Sequence, residues 1–535
     1  MSQIGIQSQE LAKQLWAIAN DLRGSMDSSK FKDYILGTIF YRYLSERTES
    51  YMDEILKNDG VTYREALENE DLAEAVKEMT IDHLGYIIEP DYLFNSLVSQ
   101  IQEGSFSIEN YEKAINSLVG STIGQDSEAA FDKLFDDMNL QDKDLGKEVS
   151  QRTKLISKVI SRINDISFDF DNAELDVLGT AYMILIGLFA SDAGKKGGEF
   201  FTPTKMSELV ASLATIGLDT VRSACDCCAG SGSLLLEVRK HCKDKQVYHY
   251  YGQEMNGTTY NLLRQNMLMH GVPYKEFTVY NDDTIEKDNF GELKFQVQVS
   301  NPPYSSNYSG DKKFENDPRF SNCGALAPKS KADMMFLEHI VYHMDKDGRA
   351  AVLLPHGVLF RGAAEGKIRK YLIENQNVID AIIGLPANCF QTTSIPVCCI
   401  VLRRNRNGNS NNIWFCDASR YYTKGRAMNE LTDEDITRIV DAYAKRADID
   451  KFSRRVYLDE VEKNDYNCNI PRYVDTFEEE EEISLADIAT ELSQQEKDIK
   501  NAQTELLTQF AELTASDEQT GAEFSALMKA LEELF

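Results

Sequence analysis

The chain lacks the features that mark membrane-spanning, secreted and zinc-binding proteins. No apolar run approaches the length that crosses a bilayer, and residues 181–190 are predicted to be a buried helix. The amino terminus has no basic stretch before an apolar core, so no signal peptide is predicted. The ten cysteines include no pair of CxxC elements, so we predict no metal site. We expect a cytoplasmic protein with reduced cysteines and no membrane contact.

Positive charge is also scarce. The 57 lysines and arginines face 87 aspartates and glutamates, which leaves a formal net charge of −30. Most of these carboxylates are predicted to solvate the surface. Because neutralising phosphates supplies most nucleic-acid affinity, the chain should bind DNA poorly by itself. A role on DNA would need a local basic surface or a basic partner.

The 535 residues leave room for two to four domains. Residues 1–166 are predicted to form an all-helical domain that packs against something rather than reacts. In one stretch the apolar side chains recur every four residues, which predicts an amphipathic helix with one apolar face. These side chains are Phe31, Ile35, Leu36, Ile39, Phe40, Tyr43 and Leu44.

Residues 167–474 alternate β-like apolar runs with helical segments. This alternation predicts an α/β domain with a mostly parallel sheet and helices on both faces. The near-continuous apolar character of several runs agrees with burial on both sides of the sheet. The predicted strands are residues 221–226, 247–253, 277–280, 295–300, 349–354, 378–385 and 397–402.

Residues 475–535 are predicted to be a carboxyl-terminal helical extension. It contains five consecutive glutamates, and the helical stretch begins after them. Apolar residues at heptad spacing follow the glutamates. They are Leu485, Leu492, Ile499, Leu506 and Leu513. Gln495 and Gln509 interrupt the neighbouring seam, so we predict a helix that docks onto a partner or onto the helical domain, in preference to a homodimeric coiled coil.

Residues 301–304 are Asn301, Pro302, Pro303 and Tyr304, and they follow a predicted strand. Two prolines end the strand and stiffen the loop, at the strand end where open α/β sheets bind ligands. An amide, a carbonyl that no helix consumes and an aromatic ring can together hold a planar amino group. The alternative is a Pro-Pro turn with an incidental aromatic residue.

A glycine-rich turn follows the first predicted strand and opens a helix. The turn and its flanks comprise Asp226, Cys227, Cys228, Ala229, Gly230, Ser231, Gly232 and Ser233. Glu254 ends the next strand, at the position where an acidic residue binds ribose hydroxyls. Because the turn lacks the full GxGxxG pattern of pyrophosphate binders, S-adenosylmethionine suits it better than a dinucleotide.

Two further segments are predicted to complete the cofactor site. Asp283 can accept a hydrogen bond from the adenine amino group, although a helix cap is an alternative, more so for Thr284. A second segment precedes a helix whose free start and hydroxyl can hold the cofactor carboxylate. This segment contributes Glu199, Phe200, Phe201, Thr202, Pro203 and Thr204.

Taken together, the motifs resemble those of the modification subunits of type I restriction–modification systems, which are DNA adenine-N6 methyltransferases. The likeness covers nearly all of the chain. It rests on residues 16–24, 198–203, 229–233, 252–254, 301–304 and 326–333. The resemblance implies a Rossmann-like class I S-adenosylmethionine-dependent methyltransferase domain. The family usually has proline where this chain has Cys227, which we expect to line the turn and to change cofactor affinity only slightly.

The resemblance also implies base flipping and direct methyl transfer. Tyr304 would stack on the extruded adenine, while the Asn301 side chain and the Pro302 carbonyl accept hydrogen bonds from N6. The implied partners are double-stranded DNA, a specificity subunit, a restriction subunit and a second copy of the chain. The loop 305–331 contains five basic residues and three aromatic ones, so it is either a DNA-contacting loop or a solvated one.

Two other functions compete with this one. The first is methylation of a glutamine side chain or of ribosomal RNA, where the same tetrapeptide serves because a planar nitrogen is again the acceptor. The second is an assembly subunit that retains the fold without activity. The long helical extensions argue against the first, and the intact Asn301, Tyr304 and Glu254 argue against the second.

Overall fold

Helices alone form the first 192 residues, as far as the structure describes them. The computed structural model describes residues 3–22, 28–166, 175–192, 202–390, 393–425, 428–477 and 484–534. The chain divides into two compact units, Met1–Thr476 and Phe477–Phe535. The helices of this first part are α1 (Gln3–Leu22), α2 (Ser28–Leu56), α3 (Tyr63–Glu68), α4 (Glu70–Leu84), α5 (Phe94–Glu103), α6 (Ile108–Gly120), α7 (Glu128–Phe131), α8 (Val149–Asn164) and α9 (Leu175–Asp192).

Helix α2 is the centre of this helical region. The prediction of one apolar face was too narrow, because residues 34–45 are buried on all sides. The polar residues of the second face find partners inside the protein. Arg42 donates to the carbonyl of Ile166 at 2.8 Å, and Tyr41 donates to the carbonyl of Tyr92 at 2.7 Å. Hydrogen-bonded polar groups can be buried at little cost, so periodicity alone underestimated the burial.

The rest of the first unit is built on a nine-stranded sheet with the order β11-β8-β6-β7-β5-β4-β1-β2-β3. Strand β7 runs antiparallel to both neighbours, and β11 runs antiparallel to β8. A separate hairpin pairs β9 with β10. The strands are β1 (Ala224–Asp226), β2 (Tyr250–Gln253), β3 (Phe277–Tyr280), β4 (Phe295–Ser300), β5 (Met344–Pro355), β6 (Ile379–Gly384), β7 (Val397–Arg403), β8 (Asn412–Asp417), β9 (Thr423–Lys424), β10 (Asn429–Glu430) and β11 (Ser453–Tyr457).

The seven predicted strands all exist, but the sheet continues beyond them. Strand β8 follows an asparagine-rich loop and yet buries Trp414 completely, with its indole N–H donating to Ala447 at 3.0 Å. Strand β11 lies at the sheet edge, where Arg454 and Arg455 face solvent. Three of its five residues are polar, so the sequence there lacks the apolar run from which the seven strands were predicted.

Helices cover both faces of this sheet, as predicted. One apolar core includes α10, α11, α12 and α15 together with the helical region, and the other includes α13, α14 and α16. The helices of this part are α10 (Thr204–Thr215), α11 (Ser233–His241), α12 (Gly257–Met269), α13 (Asp333–Tyr342), α14 (Ala363–Glu374), α15 (Asp433–Lys445) and α16 (Leu458–Lys463).

The helical region holds α12 by specific polar contacts. Asp137 accepts hydrogen bonds from Thr258 at 2.6 Å and from Asn261 at 2.7 Å. Arg264 donates to the carbonyl of Asp132 at 2.8 Å, and Gln265 donates to that of Leu134 at 2.9 Å. The helix that follows Glu254 is thus positioned by the first part of the chain.

The second unit consists of α17 (Leu485–Ala511) and α18 (Glu518–Leu534). Phe510 and Phe524 stack with ring centroids 6.2 Å apart. The heptad apolar residues of α17 are exposed, with 60% of the surface of Leu492 and 56% of that of Ile499 accessible to solvent. In its described part, the chain has no helix that is both long and apolar enough to cross a membrane.

Candidate active site

The predicted site residues that follow the strands lie at one edge of the sheet. Strands β1, β2, β3 and β4 are parallel, so their carboxyl ends meet there. Asp226 ends β1, Glu254 follows β2 and Asn301 follows β4. Ligands bind at this edge in open α/β sheets. The turn after β1 and the loop after β4 are therefore neighbours in space although about 70 residues separate them in the chain.

The glycine-rich turn has the backbone conformation that only glycine adopts easily. Gly230 has φ 54° and Gly232 has φ 81°. A Cβ atom at Gly232 would lie 2.6 Å from Leu263. Helix α11 then begins at Ser233. The hydroxyl of Ser231 is buried and has no partner among the described residues, so the turn offers a free polar atom.

Glu254 closes the turn from the side of β2. Its carboxylate accepts the N–H of Gly230 at 3.0 Å and the N–H of Asn256 at 2.8 Å. Burial raises the pKa of Glu254, and the backbone hydrogen bonds act in the opposite direction. A carboxylate has more lone pairs than these two bonds use, so it can still accept ribose hydroxyls.

Asp226 is the most buried acid of the site, with 2% of its surface exposed. The Ser300 hydroxyl donates to it at 2.7 Å and the Cys228 N–H at 2.9 Å. Burial raises the pKa of Asp226 to about 7, against the effect of these two bonds. The Asp226–Ser300 bond links the end of β1 to the end of β4.

The helix cap that the sequence left open as an alternative is present in the loop after β3. Asp283, and not Thr284, caps the turn, because its carboxylate accepts the N–H groups of Ile285 at 2.9 Å and Glu286 at 3.0 Å. Thr284 instead donates its hydroxyl to the carbonyl of Cys227. Only one carboxylate oxygen of Asp283 is used in the cap, so the predicted contact with adenine remains a prediction.

The Asn301 side chain is hydrogen-bonded at both amide atoms. Its nitrogen donates to the hydroxyl of Thr202 at 3.1 Å, and its oxygen accepts the Tyr304 hydroxyl at 2.7 Å. The first contact joins the segment that precedes α10 to the loop after β4. Among the predicted residues of that segment, Thr202, Pro203 and Thr204 are described and border the start of α10. Glu199, Phe200 and Phe201 lie outside the described residues.

Pro302 and Tyr304 complete the loop. Pro302 is buried, Pro303 is exposed, and no described group donates a hydrogen bond to the Pro302 carbonyl. The Tyr304 ring meets Phe390 edge-on, with centroids 6.0 Å apart. Burial raises the pKa of Tyr304, so the phenol stays neutral. Phe390 was missed in the sequence because the loop after β6 carries no recognisable motif.

Asp333 supports this loop from α13. Its carboxylate accepts the N–H of Ser305 at 2.7 Å and the guanidinium of Arg361 at 2.9 Å. Ser305 has φ 51°, an unfavourable conformation for a residue with a side chain. The buried ion pair of Asp333 and Arg361 therefore stabilises a strained backbone directly after Tyr304.

Comparison with known proteins agrees with this geometry. A family model described as N-6 DNA Methylase matches residues 173–482, and one described as HsdM N-terminal domain matches residues 11–163. The type I restriction enzyme MpnII methylase subunit of Mycoplasma pneumoniae is 37% identical over 494 residues, which cover 88% of this chain and 90% of that protein. The chain belongs to the N-6 DNA methylase family.

A solved relative extends the likeness to three dimensions. The crystal structure of the type I restriction-modification system methyltransferase subunit from Streptococcus thermophilus is 40% identical. The match covers 88% of this chain and all of that one, with a TM-score of 0.81. The chain is thus an adenine-N6 methylase, a modification subunit of the type I restriction–modification family. Its cofactor is S-adenosylmethionine. These findings confirm the predicted family, fold class, activity and cofactor over the two alternatives.

The loop 305–331 of the methylase differs from the predicted DNA-contacting surface. Its aromatic rings are buried, as is Arg319, which donates to the carbonyls of Thr284 at 2.8 Å and Ile285 at 2.9 Å. The loop is thus a packed structure with its own core. Lys312, Lys313 and Lys329 are exposed, and Lys313 pairs with Glu286 at 2.9 Å. The buried rings are Tyr308, Phe314 and Phe320.

One group of potential metal ligands occurs among the described residues, formed by Asp288, His339 and His343. His343 lies between the carbonyl of Leu293 at 2.7 Å and Asp288 at 3.0 Å. Arg319 faces Nδ1 of His339 at 3.2 Å. Because arginine can only donate, Nδ1 accepts and the proton sits on Nε2, which removes that atom as a ligand. We interpret the group as a structural network.

Proposed function

We propose that the methylase binds an extruded adenine against the loop 301–304. The Asn301 oxygen and the Pro302 carbonyl accept the two N6 hydrogens, and Tyr304 provides the stacking surface. The observation that carries the proposal is the Asn301 amide. Its nitrogen donates to the Thr202 hydroxyl and its oxygen accepts from the Tyr304 hydroxyl, so the side chain is held between the two at the end of β4. An amide oxygen has two lone pairs, so it can accept from N6 beside the Tyr304 hydroxyl.

The chain contributes orientation to this reaction rather than a nucleophile. Holding the amino group between two acceptors draws the nitrogen lone pair out of conjugation and aims it at the methyl donor. S-adenosylmethionine supplies an electrophilic methyl group on a sulfonium when bound. The ten cysteines are free thiols, nearly all buried, and none takes part in this scheme. Extruding the base costs a few kcal/mol, which binding to the pocket and the partners must offset.

The residues around the glycine-rich turn fit this cofactor. The unpartnered Ser231 hydroxyl and the left-handed glycines leave polar space for a ligand without phosphates. Glu254 binds the ribose hydroxyls and Asp283 the adenine amino group. The other proposed cofactor residues are Glu199, Phe200, Phe201, Thr202, Pro203, Thr204, Asp226, Ala229, Gly230, Ser231, Gly232 and Ser233.

Partners supply what the acidic chain cannot. We propose that it acts in the cytoplasm on double-stranded DNA, together with a specificity subunit, a restriction subunit and a second copy of itself. The exposed heptad residues of α17 support a docking role for the extension 475–535. Within the chain, the helical domain spans residues 1–166 and the methyltransferase domain spans residues 167–474.

Methyl transfer by the assembled complex tests the proposed site. The chain, a specificity subunit and duplex DNA are incubated with labelled cofactor. Asn301→Ala should reduce methylation about 100-fold or more, because orientation at the reacting nitrogen is lost. Binding of the cofactor should persist. The matched control is Asn58→Ala, which changes an exposed asparagine in the turn after α2. Methylation by Asn301→Ala at the parent rate would refute the proposed site.

A further inference from the structure

A pair of arginines lies on the sheet far from the catalytic edge. Arg349 in β5 is the direct cross-strand neighbour of Arg403 in β7, so both side chains leave the same face. Pro355 lies at the catalytic edge, six positions along β5 from Arg349, which corresponds to about 20 Å along a strand. Arg403 is 8% exposed. Like charges directly opposite each other on a sheet repel, so this pair needs an explanation.

The nearby carboxylates are already used. Asp380 pairs with Arg406 at 3.1 Å and with Arg446 at 3.0 Å, and it also accepts the Tyr443 hydroxyl at 2.6 Å. Asp347 pairs with Arg222 at 2.7 Å. Four arginines therefore belong to this group, Arg349, Arg403, Arg406 and Arg446, and two of them, Arg406 and Arg446, share the buried carboxylate of Asp380.

Arg403 is the member of this group without an acceptor. Arg349 donates to the carbonyl of Ile216 at 2.7 Å. Arg403 has two buried nitrogens, Nε and Nη2, without a hydrogen-bond partner within the described ranges, whereas Arg349 and Arg446 each have only Nε in that state. The Arg403 guanidinium lies 5.6 Å from the centre of the Tyr443 ring. A buried charge without hydrogen bonds is costly, and such groups usually point to a missing water or ion.

A surface cavity lies one residue away from Arg349, on the other side of Ile216. It has a volume of about 360 Å³ and lies where α10 and α15 pass over the sheet. Ile216, whose carbonyl binds Arg349, lines it, and so does Val440, one turn before Tyr443 on α15. Lys243 at the cavity is paired with Asp219 at 3.2 Å.

We propose that this part of the sheet binds a phosphate-type oxyanion between Arg403 and Arg349. A tetrahedral oxyanion can accept two parallel N–H bonds from a guanidinium, which is the geometry that arginine favours. One anion would satisfy the free N–H groups of Arg403 and cancel the repulsion across the strands. Burial, together with the charge of Arg403, lowers the pKa of Arg349 to about 10, against the opposite effect of Tyr443, Asp347 and Asp380. The site is independent of the methyl-transfer pocket.

Thermal unfolding of the full chain tests the site. In chloride buffer of matched ionic strength, 20 mM inorganic phosphate or sulfate should raise the melting temperature of the parent by about 1–2 °C if the dissociation constant is about 1 mM. Arg403→Met should remove this gain. Without phosphate the variant should melt no lower than the parent, because an uncompensated buried charge has been replaced by an apolar group. Arg455→Met, at an exposed arginine, is the control and should keep the gain.

Two results would overturn the proposal. One is a parent that gains no more from phosphate than from chloride, and the other is an Arg403→Met variant that keeps the full gain. If that variant does not fold, Arg349→Met replaces it. Crystals of the parent soaked in selenate give a direct readout that needs no variant. An anomalous peak within hydrogen-bond distance of Arg403 is expected, and its absence at saturating selenate would equally refute the site.

Discussion

Two long helices of this methylase have opposite surroundings. Helix α2 has 29 residues and α17 has 27, and both carry regularly spaced apolar side chains. In α2 these side chains are buried, with Ile35 at 0% exposure, whereas Ile499 of α17 is 56% exposed. Similar patterns thus predicted helices correctly in both places but did not reveal where the partner of each apolar face lies.

The apolar residues of α2 are covered within the first unit, whereas those of α17 are exposed. The helical region has its partners in the first unit, including α12 and the cofactor site beyond it. The α17 stripe is exposed among the described residues, and an exposed row of large apolar residues is typical of a protein interface. Substitutions in the two helices should therefore act on different measurements, the first on the isolated chain and the second on the assembled complex.

The largest effect on stability is expected in α2. Ile35→Ala removes a fully buried side chain and should lower the free energy of unfolding by about 2–5 kcal/mol. Urea unfolding of the isolated chain measures this loss. Ile499→Ala is the matched control and should change the unfolding free energy by less than about 0.5 kcal/mol. An equal loss in both variants would remove the contrast between the two helices.

The reverse pattern is expected for assembly. Charges placed within the α17 stripe, in the double variant Leu492→Asp and Ile499→Asp, should weaken binding to the specificity subunit about 100-fold, because desolvated carboxylates oppose an apolar interface. Calorimetric titration of the two subunits measures this. The isolated variant should unfold like the parent. Unchanged affinity would show that α17 does not dock onto the specificity subunit.

The contact between the helical region and α12 should have an intermediate effect. Asp137→Ala leaves the Asn261 amide and the Thr258 hydroxyl without their acceptor, which should cost about 1–3 kcal/mol of stability. Because α12 begins directly after Glu254, cofactor affinity should also fall several-fold. Calorimetry with the cofactor alone measures this, and Asp136→Ala at the exposed neighbouring carboxylate is the control. Loss of stability with unchanged cofactor affinity would limit Asp137 to domain packing.

The last prediction concerns a buried carboxylate, Asp226, and the dependence of stability on pH. The pKa of Asp226 is raised to about 7 from 3.8, so the folded chain holds a proton there that the unfolded chain loses. This contribution to stability is full below about pH 4 and is lost as the pH rises through 7. Relative to Asp226→Asn, the parent should lose about 1–3 kcal/mol between pH 5 and 8 in urea unfolding of the cofactor-free protein. A flat difference between parent and variant would contradict the raised pKa.

Much of the fold could be predicted from the sequence. The strands at residues 277–280 and 295–300 were predicted to the residue, because apolar β-like residues there end abruptly at polar residues or prolines. The reversed direction of β7 could not be predicted, because both faces of its neighbours are apolar and fit either direction. Strand β11 was missed because an edge strand is only half buried.

Prediction of the site was limited in a similar way. Asn301, Glu254 and the glycine-rich turn could be identified from residue type and position at the strand ends. The bond between Asn301 and Thr202 could not, because 99 residues separate them. Nor could the burial of Arg319, since a basic residue in a polar loop resembles any other until the loop folds onto the carbonyls of Thr284 and Ile285.

The sequence by itself determined the elements and the chemistry of the methylase. Proline, glycine and apolar periodicity act over a few residues, so a local reading of them suffices. Only the tertiary structure decided which polar groups find partners. It placed Asp137 against the polar side chains of α12. Among the described residues, it left two buried N–H groups of Arg403 without an acceptor and the apolar residues of α17 exposed. Hydrogen bonds and burial depend on distances across the fold, which residue order does not contain.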